Sequence, residues 1–246
     1  KAVFCRSRGR HELIRRFFVH LDSNPKLMQF RTFHGLSLAI SKADSNRVCY
    51  LLVPDLDMNG LMEYIDKAGK EHGCSMVVLS VADWNDDLTP WPAPGVFKEK
   101  RPFGGKAEMF LNELLKCMGD IEESLGLTCP ERHLIGISLS GLFAIWTLSK
   151  TAIFCGIGSI SGSLWYDGFV EWLSEQTPSV NRVFLSLGDR EKNTRNPRMA
   201  QVEKATVQVC GTLQSMFIPT IFTLFPGTHF SPLLPRLEMT LMRLIT

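Results

Sequence analysis

Six residues, Gly136-Ile137-Ser138-Leu139-Ser140-Gly141, carry the residue types and spacing that most directly imply chemistry. The run before them, Arg132-His133-Leu134-Ile135, reads as a strand, and Leu142-Phe143-Ala144-Ile145-Trp146-Thr147-Leu148 after them reads as a helix. A serine on so sharp a strand-to-helix turn is a nucleophile elbow. The strained backbone holds its hydroxyl out at the carboxyl edge of a sheet, where it would attack an acyl carbon. Crowding in the turn demands small residues two before and two after the serine, here Gly136 and Ser140. Ser140 departs from the usual glycine. The same turn aims the Leu139 N–H at the spot where an oxyanion would form. The competing reading is an ordinary turn that happens to hold this pattern, and the flanking apolar runs weigh against it.

The stretch resembles the elbow of the α/β-hydrolases, in which the partners follow in the chain order serine, acid, histidine. One histidine lies after Ser138. It is His229, in a loop behind the β-branched and aromatic run Thr220-Ile221-Phe222-Thr223-Leu224-Phe225, which reads as a strand. A general base belongs there, although a surface histidine without a role would also fit. For the acid, Arg182-Val183-Phe184-Leu185-Ser186-Leu187-Gly188 reads as another strand, with Asp189 and Glu191 in the loop behind it. The common hydrolase spacing puts the acid three residues past the strand-ending glycine, which selects Glu191 and leaves Asp189 as the fallback. Alternatively, one or both pair with Arg190, Lys192 or Arg195 in a solvated cluster worth little.

Three segments together are similar to the esterase branch of the α/β-hydrolases that includes enterochelin esterases and esterase D. They are the elbow, Ser159-Ile160-Ser161-Gly162-Ser163-Leu164-Trp165, and Leu185 to Glu191 with Gly227-Thr228-His229-Phe230. The resemblance runs from about residue 45 to the C-terminus and leaves 1–44 poorly placed, as N-terminal strands or an arm. It implies a mostly parallel central sheet with helices on both faces. It also implies a serine hydrolase that cleaves small carboxylic esters through an acyl-enzyme, with Ser138, Glu191 and His229 as its triad and no cofactor. An acyltransferase using the same triad, or a binding protein that keeps the fold without catalysis, are the alternatives.

The elements that must position these residues alternate along the chain. Val48 to Val53 reads as a strand, Leu61 to Ala68 as a helix, Met76 to Val81 as a strand and Ala107 to Leu125 as a long amphipathic helix. Arg132 to Ile137, Ile153 to Ile160, Arg182 to Gly188 and Thr220 to Phe225 follow as strands, with helices over Pro197 to Leu213 and Pro235 to Ile245. Such alternation over 246 residues predicts one α/β domain. Loops at the carboxyl ends of the strands line the site in such folds. The loop Pro54 to Gly60 is therefore expected to supply a second oxyanion N–H, from Asp55 or Leu56. The long loop behind Val81 holds Trp84 and Trp91, and Trp165 follows a later strand. These three rings are candidate substrate contacts, or else simply pack their loops onto the body.

Composition bounds the rest. A net charge of +2 implies no polyanionic partner, and the arginines at positions 6, 8 and 10 read as a solvated cluster. No run of 18 apolar residues exists, so no membrane span is expected. The seven cysteines are scattered and free of C-x-x-C spacing, which argues for a reducing compartment, hence cytoplasm. The other five histidines, His11, His20, His34, His72 and His133, show no metal-ligand spacing, so no metal is expected. The sequence leaves the oligomeric state open.

Overall fold

The structure, a computed structural model, describes residues 28–56, 60–96 and 101–245. Cys5, the arginines Arg6, Arg8 and Arg10, and the histidines His11 and His20 lie outside them.

The strands are β1 (Gln29–Phe33), β2 (Leu36–Ser41), β3 (Arg47–Val53), β4 (Ser75–Ser80), β5 (Pro92–Ala93), β6 (Phe103–Gly104), β7 (Glu131–Ile137), β8 (Gly156–Ile160), β9 (Arg182–Gly188) and β10 (Thr220–Phe225). The helices are α1 (Leu61–Glu71), α2 (Ala107–Leu125), α3 (Leu139–Thr147), α4 (Phe169–Ser174), α5 (Val202–Ser215) and α6 (Leu234–Ile245). Eight strands form one sheet in the order β1-β2-β4-β3-β7-β8-β9-β10. From β4 to β10 all neighbours run parallel. β1 pairs antiparallel with β2, and β2 with β4.

Parallel strands are covered on both faces, so their side chains are apolar almost without interruption. Val48, Tyr50 and Leu52 of β3 pack into one core layer with α2, α3, α4 and α5. Cys49, Leu51 and Val53, on the opposite face, pack with α1 and α6. Full burial of each aliphatic side chain contributes about 1.5–3 kcal/mol. Chain order reverses at β3, which has β4 on one side and β7 on the other. A crevice opens at such a switch point, beyond the carboxyl ends of the strands. The predicted serine leaves the sheet there.

Three elements differ from the sequence reading. Residues 28–41, within the segment read above only as N-terminal strands or an arm, form the antiparallel β1–β2 hairpin. Its turn is His34-Gly35, both with positive φ (48° and 81°), the backbone of a two-residue primed turn. The segment expected as a strand from Ile153 is shorter and begins at Gly156. The helix expected from Pro197 begins later, with a 3₁₀ turn at Met199–Gln201 leading into α5. The Asn196 side-chain oxygen accepts from the Arg198 and Met199 N–H groups at 3.0 and 3.2 Å, which caps the turn and sets its start.

Candidate active site

The elbow is built by close approach. Gly136 pairs with Leu52 on one side and Ser159 on the other. A Cβ on Gly136 would stand 1.9 Å from the Ser140 carbonyl oxygen, so no larger residue fits. Ser138 adopts φ 61°, ψ −120°, a strained backbone for a residue with a side chain. Ser140 makes use of its departure from glycine. Its hydroxyl accepts from the Ile137 N–H at 2.7 Å and donates to the Leu52 carbonyl at 3.0 Å, tying β3 to the turn. Leu139 is the first residue of α3, so its N–H belongs to the helical turn that lacks carbonyl partners within the helix.

The acid and the histidine arrive from the ends of β9 and β10. β9 and β10 run parallel in register, Gly188 opposite Phe225. A Cβ on Gly188 would come within 2.8 Å of Gly227, so the absence of a side chain lets the two loops touch. His229 Nε2 lies 3.2 Å from Ser138 Oγ, and its Nδ1 lies 2.8 Å from Glu191 Oε2. Glu191 Oε1 accepts from the Ser161 hydroxyl and the Gly188 N–H, each at 2.6 Å, and from Arg236 Nη1 at 2.9 Å. Burial by itself would raise the Glu191 pKa. Hydrogen bonding and charge from His229, with the Gly188 and Ser161 donors, outweigh burial and hold the carboxyl below its usual range. Asp189 is placed differently. Its Oδ1 accepts from the Gly227 N–H at 2.9 Å, and its side chain is half exposed.

Ser138, Leu139, Glu191 and His229 line a cavity of about 170 Å³. Its apolar wall comes from Val96, Phe103, Trp165, Met199 and Val202. Of the three tryptophans, Trp165 lines this cavity, with the Arg198 guanidinium over its ring, 5.5 Å from the ring centre. Trp91 lies elsewhere, packed on Tyr166, Phe169 and Trp172, with its Nε1–H donating to the Asp167 carbonyl. Trp84 lies partly buried against the main core layer. Arg101 also borders the cavity, but Asp83 and Asp86 pair with it and compensate its charge. The chain leaving β3 emerges beside the chain leaving β7. Asp55 and Leu56 begin that loop, with the Leu56 side chain turned to the second core layer. Among the described residues no group of three His, Cys, Asp or Glu side chains is arranged to hold a metal ion.

Sequence reasoning placed Ser161 in a motif without giving it a role, and missed Arg236. Both touch Glu191 Oε1, from 30 and 45 residues away in the chain. One signal existed for the arginine. It interrupts the apolar stripe of α6, next to Leu237 and in line with Thr240, Leu241 and Leu244.

No protein-family model matches the chain. Among curated proteins it is similar to the uncharacterised protein YbbA of Bacillus subtilis (strain 168), 34% identical over 147 residues. That match spans 56% of this chain and 59% of YbbA. Among solved structures, an IroE-like serine hydrolase from Shewanella oneidensis aligns with a TM-score of 0.70 at 16% identity, over 89% of this chain and 78% of that one. The siderophore hydrolase EstB from Aspergillus nidulans aligns at 0.68 and 16%, over 92% and 97%. The enterobactin and salmochelin hydrolase IroE aligns at 0.66 and 16%, over 90% and 97%. The chain has the α/β-hydrolase fold.

Proposed function

We propose that this protein is a serine esterase of the α/β-hydrolase class, acting on small carboxylic esters. The observation that carries the reading is the chain of hydrogen bonds from Ser138 through His229 to Glu191, at the wall of a partly apolar cavity. Ser138 Oγ attacks the acyl carbon while His229 Nε2 takes its proton. The oxyanion of the tetrahedral intermediate sits against the Leu139 N–H and an N–H of the Asp55–Leu56 segment. His229 then protonates the leaving alkoxide, and water, activated by the same imidazole, frees the acyl-enzyme. Glu191 stays ionised throughout, keeps Nδ1 protonated and stabilises the imidazolium.

The cavity supports a modest acyl or alcohol group against Phe103, Trp165, Met199 and Val202. Trp165 is the tryptophan best placed to touch it. The likeness to hydrolases of siderophores supports ester cleavage as the reaction and leaves the natural ester open. The six free cysteines of the described residues favour a reducing, cytoplasmic setting. The test is labelling with a fluorophosphonate probe and turnover of p-nitrophenyl acetate. Wild type is expected to do both. Ser138→Ala is expected to lose the label and about 10³–10⁶ in kcat while keeping its fold. Labelling that survives in Ser138→Ala would sink the assignment.

A further inference from the structure

Arg236 is the one buried Lys or Arg among the described residues, with no exposed surface. It sits in the first turn of α6, the positive end of the helix dipole. A dry cation at that end is disfavoured twice over, so compensation must be local. The guanidinium finds it in three directions. Nη1 donates to Glu191 Oε1 at 2.9 Å and also to the Ser161 hydroxyl. Nη2 donates to the Thr228 carbonyl at 3.1 Å, and Nε to the Pro232 carbonyl at 2.8 Å. Thr228 immediately precedes His229, and Pro232 lies three residues beyond it. One planar fork therefore grips the histidine loop on both sides of His229 and, at its centre, the acid that His229 must meet.

We propose that Arg236 is a positioning residue of the reaction: its guanidinium holds the His229 loop in register with Glu191, so that Oε2 stays aimed at Nδ1 and Nε2 at Ser138. The proposal rests on the esterase reading above. Oε1 is saturated by Ser161, Gly188 and Arg236, which leaves Oε2 for the histidine. The charged groups facing Glu191 are His229 from its loop and Arg236 from α6. The loop after β8 and the end of β9 contribute only the neutral Ser161 hydroxyl and Gly188 N–H, while Asp189 turns to the Gly227 N–H. Two effects are separable. The fork sets geometry. The charge opposes adding a proton to the Glu191–His229 pair, wherever on the pair that proton sits. Removing the cation therefore raises the pH at which the pair takes up its proton.

Wild type, Arg236→Lys and Arg236→Met are compared with p-nitrophenyl acetate, with active sites counted by exhaustive fluorophosphonate labelling. In Arg236→Met, kcat per labelled site is expected to fall about 10–100-fold with KM nearly unchanged. The acid limb of its kcat/KM profile is expected to move up by about one pH unit. Arg236→Lys keeps a cation but cannot reach both carbonyls and the carboxylate at once. It is expected to hold the acid limb in place and still lose several-fold in kcat. An unmoved limb in Arg236→Met, or wild-type kcat per labelled site in Arg236→Lys, overturns the proposal. If Arg236→Met does not fold, the lysine variant decides alone. A wild type that takes no label and turns over no ester defeats the esterase reading itself, and this proposal with it.

Discussion

Asp189 and Glu191 stand two residues apart in one loop and are nonetheless different chemical objects. Glu191 is buried and its oxygens are divided, one for His229 and one for Ser161, Gly188 and Arg236. Asp189 holds the Gly227 N–H and so braces the backbone of the histidine loop. Glu191→Gln is therefore expected to cost about 10²–10⁴ in kcat, by losing imidazolium stabilisation and the correct tautomer. Asp189→Asn keeps an oxygen for the Gly227 N–H and is expected to stay within about threefold of wild type. Steady-state kinetics on the two variants separates them, and a larger loss in Asp189→Asn reverses the roles. The spacing from Gly188 pointed to Glu191 because the loop is short and local. The roles of Ser161 and Arg236 were not legible, since their meeting with Glu191 depends on how β8 and α6 pack against the end of β9.

At the scale of elements, the elbow works because β7 and α3 approach too closely for any side chain at Gly136. The atoms a Cβ would strike are backbone, 1.9 Å from Ser140 O and 2.5 Å from Gly141 N, and cannot rotate aside. Gly136→Ala is expected to cost about 3 kcal/mol and to displace Ser138, lowering both the denaturation midpoint and kcat. Gly119, in the middle of α2, has nothing within 4 Å of a would-be Cβ and is the control. Gly119→Ala is expected to be neutral or to stabilise by about 0.5–1 kcal/mol. Equal losses in the two variants, measured by urea denaturation, would argue against the crowded elbow. Buried strands and long helices were legible in advance for the same reason that they are stable: a continuous apolar run or a 3.6-residue stripe. α2 begins and ends at the expected residues, with Gly126 in the left-handed conformation as its stop. The β1–β2 hairpin was read no further than strands or an arm, because the residues of β1 are largely exposed and show no core-facing alternation. Its signal was the turn His34-Gly35.

At the scale of the whole molecule, the response to acid tests where charge is tolerated. His133 lies in β7, fully buried beneath the sheet's centre. Its ring nitrogens make no hydrogen bond among the described residues, and Glu131 stands 3.4 Å from Nε2 outside hydrogen-bonding geometry. Burial lowers its pKa to about 4; Glu131 opposes this, while Arg182 and Arg47 add to it. The unfolded chain takes up that proton near pH 6.5, and the folded chain only near 4. Between these values the unfolded state binds more protons, so stability falls as pH drops through the window and levels off below it. A shift of that size corresponds to about 3 kcal/mol. Glu191 acts in a separate, lower window. Its depressed carboxyl contributes stability above the ordinary carboxylate range, and that contribution is lost as pH falls through its folded value. His133→Leu removes the buried imidazole at similar volume and leaves Glu191 in place. Denaturant unfolding of both proteins between pH 7 and pH 4 is expected to give curves that separate as pH falls, with wild type losing about 2–3 kcal/mol more than the variant. Parallel curves across that range would mean that water or a counter-charge reaches His133, and that this part of the sheet is wetter than its packing implies.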